Sequence, residues 1–164
     1  MFKTTLTAIF LAIIIALQML NFPKLATGVI VNSIYILLYL SADIKRVVML
    51  AVLTPSVSFF TGHFQTFMAP MVPFIALGNV SMVLCYHFLN HRDDASRMFA
   101  PAFLKALIIG ISGAAMAGSI VGDPASEMAF YVVIAIQFFT AVPGIVLGEY
   151  LHFRISKINH LHTK

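Results

Sequence analysis

Six apolar stretches, separated by five short polar connections, account for almost the whole 164-residue sequence. They cover residues 4–22, 27–42, 47–61, 67–90, 102–121 and 128–153. Apolar runs this long are read as membrane-spanning helices. The expected fold is an all-α, polytopic bundle of six transmembrane helices forming one domain over residues 1–164. Prolines punctuate it: Pro23 in the first connection, Pro55 inside the third span, Pro70 and Pro73 at the start of the fourth. Pro55 should bend its helix, because proline removes a backbone donor. Spans two and three are short, at about 16 residues or roughly 24 Å of helix against a hydrocarbon core of roughly 30 Å. Helices that end below the outer surface would leave a depression there.

Charge orients the bundle. Threaded through a membrane, Lys3, Lys45, Arg46, Arg92, Arg97, Lys105, Arg154, Lys157 and Lys164 fall on one side and Lys24 on the other. Basic residues near short loops stay in the cytoplasm, so both termini are expected there. The bias also explains the net charge of +4 without a nucleic-acid partner. Charged residues make up 10% of the chain, against roughly a quarter in soluble domains. A further soluble domain does not fit beside six spans. The first apolar run is long enough to be a retained helix rather than a cleaved signal. The single cysteine, Cys85, lies in an apolar run and suits a small packed side chain.

Small residues recur at helical spacing. Ala8, Ala12 and Ala16 share one face of the first span, Gly110, Ala114, Gly118 and Gly122 one face of the fifth, and Gly144 and Gly148 one face of the sixth. Such stripes let helices approach closely in lipid. Together with the chain's length and topology, the A-x-x-x-A pattern and the segments Thr27–Asn32 (TGVIVN) and Ala69–Asn79 (APMVPFIALGN) resemble the substrate-binding S components of energy-coupling factor (ECF) vitamin transporters. The resemblance implies a multi-pass protein of a prokaryotic plasma membrane. It would capture a vitamin or cofactor outside and deliver it inward, toppling in the membrane. Ala8, Ala12 and Ala16 would contact a membrane coupling subunit, and two cytoplasmic ATPases would hydrolyse ATP. This chain would not itself be an enzyme, and it has no G-x-x-x-x-G-K-[ST] phosphate loop.

The residues expected near the outer helix ends are mostly aromatic and thioether. His63, Lys24, Asn32, Phe64, Gln65, Met68, Met71, Asn79 and Tyr131 are the substrate-binding candidates. His63 is the sole outer histidine, and imidazole with apolar neighbours would suit the iron or cobalt of a tetrapyrrole, heme or cobalamin. Lys24 could pair with an anionic group. The alternative for His63 is a headgroup-level loop residue, and for the methionines, packing. Asn32 and Asn79 lie inside helices and should face the bundle or a cavity, bonding across helices or reaching the ligand. Glu149 is expected to pair with a basic residue such as Lys105. His87 and His91, four apart, could hold a metal but lack further ligands at matching spacing. Phe2 stands where nickel- and cobalt-specific relatives carry histidine. The competing function is a small non-catalytic membrane scaffold without ligand.

Overall fold

The computed structural model describes residues 2–20, 22–62, 66–120 and 124–162, with side chains described within 2–20, 22–62, 69–116, 132 and 134–158. The described residues form six α-helices and no strand: α1 (Phe2–Met19), α2 (Lys24–Ser41), α3 (Ile44–Phe60), α4 (Val72–Leu89), α5 (Asp94–Ile120) and α6 (Pro124–His162). A 3-10 helix, Thr66–Met71, precedes α4. Five segments, all but α3 contributing one, are long and apolar enough to cross a membrane. Large apolar side chains face outward, among them Phe60, Phe88, Phe103, Phe139 and Ile111. Lipid accommodates such a surface. The protein is therefore a multi-pass helical membrane bundle.

The starts of α3 and α5 are set by polar caps that lengthen these helices beyond their apolar runs. Asp43 accepts a hydrogen bond from the Arg46 backbone N–H at 3.1 Å and also binds the Arg46 guanidinium. That backbone bond, then the Arg46 charge, holds its carboxyl below the usual range. Asp93 accepts from Ser96 N–H at 2.9 Å, so α5 begins at Asp94 rather than near residue 102. Such side-chain acceptors satisfy N–H groups that a helix start leaves unpaired. The charged segment 91–98, expected as a loop, is thus half helix. The second span starts at Lys24, not 27, and α2 reaches 18 residues, or about 27 Å. It is not the truncated helix expected from the apolar run. α6 continues to His162, beyond the expected 153, and runs through Pro143.

α2 and α6 share the most extensive interface, followed by α5 with α6 and α4 with α5. Glycine makes the first of these close. A Cβ on Gly144 would sit 2.5 Å from Asn32 Cβ, and one on Gly148 would sit 2.7 Å from the Ser33 carbonyl oxygen. The stripe on the sixth span therefore packs within the chain. The core at this seam includes Tyr35, Ile36, Leu38 and Ile145. Among the described residues α1 packs only on α2 and α3, through a face carrying Thr7, Ile14 and Gln18.

The end of the bundle holding the first residues is polar. Lys3 Nζ donates to the Ala42 carbonyl at 3.1 Å, and Tyr39 hydroxyl bonds His87 Nδ1 at 2.9 Å. Glu149 accepts from Tyr86 hydroxyl at 2.6 Å and pairs with Arg97 Nε at 2.9 Å. The expected Glu149–Lys105 pair does not form. Arg97 lies in the first turn of α5, level with Glu149, whereas Lys105 is eight residues or about 12 Å further along the helix.

Candidate functional site

In the other half of the bundle, toward Lys24, the helices frame a half-open cavity of about 260 Å³. All six contribute, along with Met71 from the 3-10 helix. Its apolar wall includes Val31, Met71, Ile75, Ile109 and Ile136. Its polar groups are Gln18, Thr27, Asn32, Thr54, Ser58, Asn79, Lys105, Gln137 and Thr140, with exposed Lys24 at the rim.

Local sequence explains the framework. Pro55 has no N–H to give the Ala51 carbonyl one turn back. Asn79 Nδ2 reaches that carbonyl at 3.5 Å and the Tyr35 hydroxyl at 3.4 Å. Asn79 therefore bridges α4 to α3 and α2 while also lining the cavity. Gly78, one residue earlier, brings α4 against α5: its Cβ would meet Ile109 Cγ1 at 2.7 Å and the Lys105 carbonyl oxygen at 3.4 Å. Gly144 seats α6 directly on the Asn32 turn of α2. The turns that carry Asn32, Asn79 and Lys105 are thus fixed by close backbone approach.

Two hydrogen-bonded pairs define the polar chemistry. Lys105 Nζ donates to Asn32 Oδ1 at 2.7 Å. An ammonium has no acceptor, so the amide oxygen must face it and Asn32 Nδ2 points elsewhere. Gln18 Nε2 donates to Ser58 Oγ at 2.6 Å, while Ser58 Oγ gives its own hydrogen to the Thr54 carbonyl at 3.0 Å. Ser58 can then only accept from Gln18, which leaves Gln18 Oε1 as the free end. Both remaining atoms, Asn32 Nδ2 and Gln18 Oε1, are buried without a hydrogen-bond partner among the described residues. Gln18, Asn32 and Lys105 are 2%, 1% and 4% exposed. Unpaired buried polar atoms are costly and rare in folded proteins. Gln18, Asn32 and Lys105 all line one cavity, which therefore carries uncompensated donor, acceptor and cationic groups in its wall.

Among the residues expected to bind substrate, Lys24, Asn32, Met71 and Asn79 line this cavity. His63, Phe64 and Gln65 lie outside the described residues, as do the side chains of Met68 and Tyr131. Ala8, Ala12 and Ala16 are exposed along α1, away from its buried face. Lys105 is the principal correction. A fifth span beginning at residue 102 places Lys105 with the cytoplasmic basic residues. It lies eleven residues into α5, inside the bundle. A lone cation within the apolar run 99–111 was the available signal, since charges inside spans face cavities. Thr54 and Ser58 gave no such signal, because hydroxyls that bond back to their own helix are common in spans.

His87 is engaged with Tyr39, and no group of three His, Cys, Asp or Glu side chains converges as a metal site among the described residues. Comparison of the chain with protein-family models, with curated proteins and with solved structures finds no match.

Proposed function

We propose that this chain is the substrate-capture subunit of an ECF-type importer. It would cross a prokaryotic plasma membrane six times with both termini in the cytoplasm, and take up a vitamin or cofactor in the cavity between its helices. The observation that supports this most is the pair of buried polar atoms, on Gln18 and Asn32, left without partners among the described residues, on a cavity that Lys105 also lines. A scaffold subunit has no use for such groups, whereas a ligand would satisfy them. The position supports capture from outside, because the cavity lies away from the basic end that the positive-inside bias assigns to the cytoplasm.

The exposed face of Ala8, Ala12 and Ala16 supports docking of a membrane coupling subunit. Two partner ATPases would supply the energy. Co-expression with a coupling subunit and its ATPases tests the assignment. The Ala12→Leu variant should lose the complex while the isolated chain keeps its stability, as the site is exposed. Assembly of Ala12→Leu at the native level would remove the docking face.

The tetrapyrrole expected from His63 rests on residues outside those described. A cavity of about 260 Å³ is just under the range of roughly 300–1,000 Å³ usual for drug-sized ligands. It supports a smaller vitamin or cofactor than heme or cobalamin. A Soret band in protein purified after growth with heme, lost in His63→Ala, would instead support the tetrapyrrole.

A further inference from the structure

We propose that the captured ligand is a small organic carboxylate, held by its carboxylate on Lys105 Nζ and Asn32 Nδ2. This rests on reading the cavity as a capture site, and it specifies the ligand's chemistry. Four of the six acidic residues have described side chains, and all four are engaged elsewhere. Asp43 pairs with Arg46, Asp94 and Glu149 pair with Arg97, and Asp93 caps the Ser96 turn. Among the described residues Lys105 has no counter-ion, and its hydrogen-bond partner is the neutral amide of Asn32. A buried ammonium facing one amide is poorly compensated.

The amide that binds Lys105 presents an N–H donor from the same carbon. Lys105 keeps further N–H donors of its own. The cation and the donor belong to one hydrogen-bonded pair on the cavity wall; each calls for an anionic acceptor, and a carboxylate offers two oxygens to meet them. The same cation repels an amine or a metal ion. Met71, Ile75 and Ile109 supply an apolar wall, which an inorganic anion would leave unused. Gln18 Oε1, an acceptor, calls for a hydrogen-bond donor on the ligand's body. Lys24 at the rim adds attraction for an incoming anion.

The test uses the full chain in phosphatidylcholine nanodiscs, with calorimetric titration and thermal melts. The probes are benzoate, 3-phenylpropionate and hexanoate, each beside its uncharged amide, with inorganic phosphate alongside. At least one acid should bind and raise the melting temperature, with its amide and phosphate at least about ten-fold weaker. Lys105→Met should weaken that acid by about ten- to a hundred-fold, the range of a charge-assisted hydrogen bond. Asn32→Asp places a carboxylate beside Lys105 within the protein. It should raise the melting temperature without ligand and abolish the acid's effect, so the inference does not depend on the methionine variant alone. Equal binding of acid and amide, or undiminished acid binding by either variant, overturns the carboxylate and leaves the capture reading standing. Binding of neither acid nor amide by the native chain counts against both.

Discussion

Asn79 is the residue whose two roles are most directly linked. Its side chain closes the gap that Pro55 opens in α3, and its position at the cavity depends on that bond. Removing it should expose the Ala51 carbonyl as an unmet acceptor, at a cost of about 1–3 kcal/mol. Restoring the backbone donor with Pro55→Ala should make the same Asn79→Ala change cheaper. A double-mutant cycle, read by denaturant unfolding in detergent, is expected to give a coupling of about 0.5–1 kcal/mol. Additive effects would mean that Asn79 acts independently of the proline. The sequence places both asparagines inside helices and so flags them as interior. It does not reveal which carbonyl Asn79 meets, because that depends on the α3–α4 register. Asn32 shows the same limit: its polarity is legible, but its partner, Lys105, lies 73 residues away.

At the scale of elements, the α2–α6 seam fixes the polar floor of the cavity. Gly144→Ala would press a methyl group against Asn32 Cβ, 2.5 Å away, and against the Val29 carbonyl oxygen, 2.9 Å away. Backbone cannot yield as a flexible side chain does. The substitution is expected to cost about 1–3 kcal/mol and to lower the melting temperature of the purified chain. A neutral Gly144→Ala would show that the helices can separate freely. The number and order of helices are legible from the apolar runs. Their boundaries are not, since Asp43 and Asp93 extend helices into charged sequence that hydropathy alone assigns to loops. The most consequential error follows from this. Starting the fifth span eight residues late moves Lys105 from the interior to its inner end.

For the whole molecule, the proposed orientation rests on where charge is left after Lys105 is removed from the group expected in the cytoplasm. The bias is weaker by one residue but keeps its sign. In a Cys85→Ala background, an impermeant maleimide should label Lys24→Cys in intact cells and Lys157→Cys only after permeabilisation. Labelling of both in intact cells would overturn the proposed six-span topology. The cavity itself is not legible from sequence, because it is bounded by all six helices and its lining residues are scattered from Gln18 to Thr140. Composition suggested an aromatic and thioether shell, whereas the described lining is aliphatic and amide-rich. The glycine seam also sets how the bundle can move. α2 and α6, in near backbone contact, will behave as one rigid body, and α5 and α4 are joined to it in turn. α1, attached only to α2 and α3 and mostly exposed, is the most loosely held of the helices. It also carries Gln18 into the cavity. If the cavity captures a ligand and the alanine face docks a partner, as proposed, a rocking of α1 would alter both in a single motion, a mechanical link between occupancy and docking through one loosely held rod.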